Sequence, residues 1–212
     1  MHRDIETWIE QQLCARGIAD KRVLHAFRCV PRAAFVPDAL RDLAFEDRPL
    51  PIGSNQTISQ PYIVARMLEL AQIEHADRVL EVGAGSGYAA ALASLLAKQV
   101  FGVERHENLA SAAQDALSRL GYGNVLIVHG DGTRGLAEYA PFDAIIVSAA
   151  SEQIPPALLQ QLAPGGRLVI PVGTRHGQRL LRVTRAASGD RIEEFDHVQF
   201  VPLIAGASDK RT

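Results

Sequence analysis

The apolar residues in the middle of the chain gather into short β-branched runs: RVLEV (78–82), QVFGV (99–103), NVLIVH (124–129), FDAIIV (142–147) and GRLVIPV (166–172). Most are separated by stretches whose apolar positions repeat at helical spacing, such as AAALASLLA after the first run. Buried runs of strand length alternating with helices predict a mostly parallel sheet covered on both faces, a doubly wound α/β fold. Two later runs, RLLRVTR (179–185) and FDHVQFVPL (195–203), have no helix between them and are expected to pair as an antiparallel edge.

Ahead of the sheet, Ile5, Trp8, Ile9 and Leu13, then Val23, Leu24, Phe27 and Val30, recur at helical spacing. They predict two added helices, with Gly17 as a C-cap between them. Pro31, Pro37, Pro49, Pro51 and Pro61 then break the periodicity. Turns and one short helix around Ala39 to Leu43 are expected there, with IGSNQTISQP (52–61) on a loop. YIVARMLELAQI returns to helical spacing, and the APGGR turn (163–167) should join a helix to the fifth strand. The polar tail from Ala207 is expected to fray. The chain of 212 residues therefore reads as one domain: a helical cap and loop (1–60), an α/β core (61–175) and C-terminal strands (176–206).

Charge and composition narrow the function. A formal net charge of -2, without a run of like charges, supplies no field for nucleic acid. No stretch approaches the ~20 apolar residues of a membrane span, and MHRDIETWIEQQL is amphipathic rather than a signal peptide. A cytoplasmic protein, monomeric because nothing marks an oligomer interface, is the expectation. Cys14 and Cys29 lie in helix-like segments and are expected to be small buried hydrophobes. The 7 histidines are scattered without metal-ligand spacing, so no metal is expected.

After the first strand run comes EVGAGSGY (81–88), leading straight into a helix. Gly83, Gly85 and Gly87 allow a sharp turn and close backbone approach to a ligand. Glu104, ending the second strand run, can accept both hydroxyls of a ribose. Asp131 and Gly132, after the third, offer a carboxylate and an amide to an adenine edge. All sit at carboxyl ends of strands, where open α/β sheets bind ligands. The spacing G-x-G-x-G differs from the dinucleotide fingerprint, and Glu81 two residues ahead disfavours pyrophosphate but suits a cation. The loop resembles the S-adenosyl-L-methionine (SAM) signature of methyltransferases.

A generic methyltransferase has no need of IGSNQTISQP. Together with RVLHAFRCVPRAAFVP (22–37), AFEDRPLPIG (44–53), PFDAIIVSAA (141–150), LAPGGRLVIPVG (162–173) and FVPLIAG (200–206), it resembles the protein-L-isoaspartate O-methyltransferase family from about Arg22 to Gly206. The resemblance implies methylation of the free carboxylate of isoaspartyl residues in damaged proteins and peptides, starting repair through a succinimide. It also implies that Ser59 holds the acceptor carboxylate and that Thr57 and Ile58 place that hydroxyl, Ile58 closing over the cofactor. IGSNQTIS, SAAS (148–151) and FVPLIAG would supply backbone contacts to the acceptor. Asn55 and Phe45 depart from the glycine and tyrosine usual in the family.

Other readings stay open on the residues alone. Ser59, before Gln60-Pro61, suits a helix N-cap as well as a substrate contact. Asp143 reads as a structural acceptor at a strand end. A methyltransferase of another acceptor, or a noncatalytic SAM-binding protein, would share the glycine loop, and a nicotinamide dehydrogenase stands further off.

Overall fold

The computed structural model describes residues 5–207, so most of the polar tail, 208–212, lies outside the described residues. The parallel strands are β3 (Arg78–Val82), β4 (Gln99–Glu104), β5 (Val125–His129), β6 (Phe142–Val147) and β7 (Leu162–Thr174). β8 (Gly177–Thr184) and β9 (Arg191–Val198) complete a seven-stranded sheet of order β5-β4-β3-β6-β7-β8-β9, with β8 and β9 antiparallel as expected. A small separate hairpin, β1 (Leu50–Gly53) with β2 (Gln56–Ile58), precedes them.

The two-residue period of a strand divides the core in two. Val79, Val100, Ala144, Ile146 and Val169 face one side, and Leu80, Phe101, Ile145, Val147 and Leu168 the other. The first face carries most of the helical cover: α2 (Lys21–Cys29), α3 (Pro61–Ala71), α4 (Tyr88–Ser94) and α5 (Glu107–Arg119). The N-terminal helix α1 (Ile5–Gln12) joins this core through Trp8 and Ile9, and a 3₁₀ turn after it ends at Gly17, whose φ of 95° makes it the expected cap. The second face is thinner, covered by the five-residue α6 (Pro156–Gln160) and by the 3₁₀ turn Ala137–Tyr139, which contributes Tyr139 and, at its cap, Leu136.

Several expectations need correction. IGSNQTISQP does not lie on a loop: its first seven residues make the β1–β2 hairpin and its last begins α3. Ser54 and Asn55, both with positive φ (48° and 55°), form a two-residue turn of the kind that matches strand twist. Asparagine tolerates this left-handed geometry, so Asn55 performs the turn without glycine. The short helix at 39–43 is 3₁₀, from Asp38 to Leu43. APGGR is absorbed into β7 at an irregularity in its register with β6, where Gly165 and Gly166 pair with Arg185. β9 stops at Val198, earlier than the apolar run suggested. The chain then leaves the sheet edge to run beside Ala150, whose amide donates to Val201 at 2.8 Å and whose carbonyl accepts from Leu203 at 2.7 Å. Cys29 is exposed and Cys14 half-buried, so neither is a core hydrophobe. Asp143 is the expected strand-end acceptor, taking the Arg78 amide at 2.9 Å.

Nor does Ser59 cap α3. Gln60 holds the capping position, and the Tyr62 amide is answered by Asp47 Oδ1 at 3.0 Å, from across the preceding segment. Asp47 Oδ2 also accepts from Gln60 Nε2 and pairs with Arg16. Asp47→Ala is therefore expected to cost about 1–2 kcal/mol, the upper range for losing a cap. In urea unfolding this appears as a lower midpoint at an unchanged slope.

Candidate active site

The carboxyl ends of β3, β4, β5 and β6 converge at one rim. The chain leaves β3 through Gly83, Gly85 and Gly87, with φ of 82°, 53° and 84°. These left-handed values are natural for glycine and strained for other residues. The Gly83 amide donates to the Val103 carbonyl at 2.8 Å and the Gly85 amide to Glu104 Oε2 at 2.9 Å, while the His106 amide donates to Glu104 Oε1 at 2.9 Å. A Cβ on Gly85 would stand 3.2 Å from Ile52 Cδ1, so the hairpin lies directly against the glycine loop.

Three cavities meet at this rim. The largest, about 620 Å³, opens between the hairpin and the segment after β9, with Ser59, Gln60, Ile63, His197 and Phe200 in its walls. Among the described residues, His197 is the one ionisable residue in its lining. A second, about 50 Å³, is bounded by Gly83, Gly85, Glu104, Gly132 and Leu203. A third, about 30 Å³, is bounded by Ile58, Ser59, Glu81, Gly85 and Tyr88. Thr57 and Ser148 border all three, and Ser59 borders the first and the third.

Glu81 is 3% exposed. Its Oε1 accepts the Ser148 hydroxyl at 3.1 Å, whereas Oε2 is buried without a hydrogen-bond partner. Burial pushes this carboxyl up to about 8; Glu104 nearby adds to the rise and the Ser148 hydroxyl opposes it. A cationic ligand group beside it would relieve that burden. The residues thus fit SAM, whose methionine end carries an ammonium and a sulfonium. Glu104 lies at the next strand end, and Gly132 further round the rim has no room for a side chain, since a Cβ there would meet Val82 Cγ1 at 2.7 Å.

Two of the expected cofactor residues stand outside these walls. Gly87 caps α4 and faces α5, where a Cβ would lie 3.0 Å from Leu117 Cδ1. Asp131 turns its carboxylate onto Thr133, accepting from N at 2.9 Å and from Oγ1 at 2.7 Å. Burial raises its pKa, but the bonds from Thr133 and the Gly206 amide outweigh that and hold it below the ordinary value.

The family model for protein-L-isoaspartate(D-aspartate) O-methyltransferase matches residues 5–208. The chain belongs to this family. Among protein-L-isoaspartate O-methyltransferases, that of Methylorubrum extorquens (strain PA1) is 58% identical over 200 residues, covering 93% of this chain and 87% of its own. Protein-L-isoaspartate O-methyltransferase 1 of Rhodopseudomonas palustris (strain HaA2) is 53% identical over 201 residues, 94% of this chain and 82% of that one. The fold aligns with a beta-aspartate methyltransferase (PCMT) from Plasmodium falciparum, solved in complex with S-adenosyl-L-homocysteine. Its TM-score is 0.81 at 25% identity, over 96% of this chain and 99% of that chain.

Against this protein-L-isoaspartate O-methyltransferase background, the residue that sequence reasoning undervalued is Ser148. It entered only as a backbone contact in SAAS, yet its side chain holds Glu81 and it borders every cavity of the rim. The signal was present: it directly follows β6, at the same kind of strand end that drew attention to Glu104. His197 and Ile63 carried no such signal, because only the packing of β9 and α3 around the cleft brings them there. FVPLIAG divides its duties, with Phe200 on the large cleft and Pro202 to Ile204 on the smaller cavity beside Glu104.

Proposed function

We propose that the chain transfers a methyl group from SAM to the free carboxylate of L-isoaspartyl residues in damaged proteins and peptides, producing the ester that closes to a succinimide. The observation that carries this reading is the meeting of three cavities at Thr57 and Ser148, with Ser59 between the Glu81 cavity and the open cleft. SAM, when bound, supplies a methyl group on an electrophilic sulfonium. Glu81 would hold the cationic methionine end, Gly83, Gly85 and Gly87 shape the turn around it, Glu104 would take the ribose, and Gly132 would border the adenine, with Asp131 bracing that turn through Thr133 rather than facing the ligand. Ile58 closes over the cofactor from the hairpin.

The acceptor needs little chemical assistance. Its carboxyl, with an ordinary pKa of about 4, is ionised at pH 7, so no general base is required. The chain's task is alignment and exclusion of water, and such positioning contributes on the order of 7–11 kcal/mol in favourable systems. Ser59 donates to one acceptor oxygen, Thr57 sets the backbone that presents it, and the open cleft receives the surrounding peptide. The chain is proposed to act as a soluble monomer on polypeptides in the cytoplasm, without nucleic acid or membrane as partners; its net charge of -2 supplies no field for nucleic acid, and no described helix is long and apolar enough to cross a bilayer. The chain is proposed to work as one domain, with 1–60 capping the 61–175 core and 176–206 closing its edge.

The test is incubation with methyl-labelled SAM and two peptides of one sequence, containing isoaspartate or aspartate. Base-labile label on the isoaspartyl peptide alone is expected. Label on both would leave a carboxyl methyltransferase without isoaspartyl selectivity, and label on neither, with SAM bound, would leave another acceptor.

A further inference from the structure

Arg32, from VPRAAFVP, is 6% exposed although it carries a guanidinium. Its Nη1 donates to the carbonyls of Ala44 at 3.0 Å and Glu46 at 3.2 Å. Its Nη2 donates to those of Arg48 and Ser59, both at 3.0 Å. One rigid fork thus joins the irregular 44–48 segment to the residue proposed to hold the acceptor. Burial lowers its pKa, with Tyr88 and Asp47 opposing. A buried charge is an expensive way to tie backbone together unless the tie must be stiff.

Ser59 needs such a tie. It falls between the end of β2 at Ile58 and the start of α3 at Pro61, inside neither element. Its neighbour Gln60 is held by Asp47, which belongs to the same segment that Arg32 grips through Glu46 and Arg48. One anchor of the Ser59 turn is thus this guanidinium itself, and the other, Asp47, lies between two carbonyls that it grips and is braced by Arg16 as well.

We infer that Arg32 is a positioning residue for methyl transfer: by fixing the Ser59 carbonyl relative to the 44–48 segment, it sets where the Ser59 hydroxyl meets the acceptor carboxylate. The inference rests on the role proposed for Ser59. Lysine at this position keeps the charge but replaces the planar fork with a single ammonium, which cannot span four carbonyls spread along two segments.

The test is a double-mutant cycle on full-length protein, assayed with an isoaspartyl peptide below the melting temperature of every variant. Arg32→Lys is expected to lower kcat/KM about 20-fold, the scale of removing a charge-assisted hydrogen bond. Affinity for S-adenosyl-L-homocysteine should stay within about two-fold of the parent, since Arg32 does not itself line the Glu81 cavity. In a Ser59→Ala background the same substitution should cost less than about three-fold, because the hydroxyl it positions is gone. Equal losses in both backgrounds, or no loss from Arg32→Lys alone, overturn the inference. If Ser59→Ala itself has no effect, the proposed role of Ser59 fails first and the inference falls with it, a pattern distinct from equal losses. Should Arg32→Lys not fold, replacing the Ser59–Gln60 amide with an ester weakens the Ser59 carbonyl as an acceptor while leaving Arg32 in place. A fall of about five-fold in kcat/KM is then expected, and unchanged activity overturns the inference.

Discussion

Glu81→Gln is expected to weaken SAM binding about 100-fold at pH 8, the scale of removing a charge-assisted hydrogen bond in a water-excluded site. The carboxyl is buried, with Oε2 unpartnered and its pKa pushed up to about 8 from an ordinary 4.5. Between those values the folded chain holds a proton on Glu81 that the unfolded chain has released. The ligand-free fold is therefore destabilised as pH rises across that window, and this contribution levels off above it. Glutamine removes it, so the melting temperature of the variant should fall less between pH 5 and pH 8 than that of the parent. Cofactor binding carries the opposite dependence. A cation beside Glu81 favours the ionised carboxylate, so binding below pH 8 releases a proton and tightens as pH rises; above pH 8, loss of the ligand's ammonium proton loosens it again. Titration calorimetry in buffers of different ionisation enthalpy reads the release directly. Equal affinity and equal proton release in parent and variant would remove Glu81 from the cofactor site.

Ser59→Ala is expected to lower kcat/KM for an isoaspartyl peptide about 50-fold, the value of a hydrogen bond to a charged acceptor realised as the methyl group moves. The residue borders the cleft and the Glu81 cavity and does not cap α3, so removing its hydroxyl leaves the helix start to Asp47. Thermal stability and S-adenosyl-L-homocysteine affinity should be nearly unchanged. The loss belongs mainly in kcat if the hydroxyl aligns the carboxylate, and mainly in KM if it only tethers the peptide. Parental kcat/KM in a folded variant would sink the assignment.

The parallel part of the sheet was legible because its central strands are buried on both faces, and apolar runs such as AIIV (144–147) have few alternatives. What surrounds the site was less legible, for physical reasons specific to each element. The hairpin at 50–58 is too short for periodicity, and its turn depends on two non-glycine residues adopting positive φ, which Ser54 and Asn55 do not advertise. The early end of β9 is set by the backbone exchange between Ala150 and the 201–203 segment, two stretches far apart along the chain. The α3 cap was assigned to the nearest hydroxyl, whereas the carboxylate that performs it arrives from Asp47 through a fold-dependent approach. The glycine motif led to Glu81, and strand-end reasoning led to Glu104, to Gly132 and to Asp131, whose carboxylate turns away onto Thr133. Followed one strand further, that reasoning would also have reached Ser148.

Among the described residues, the walls of the large cleft carry a single ionisable side chain, His197, amid hydroxyls, amides and apolar surface. Such a surface has almost no vocabulary for ranking the side chains that flank an acceptor, and peptide affinity should respond little to ionic strength. What it can grip is main chain, and main chain is offered only where a protein has come loose from its own packing. On the proposed activity, the roster of clients would be written by the ageing and fraying of other proteins rather than by any motif they share.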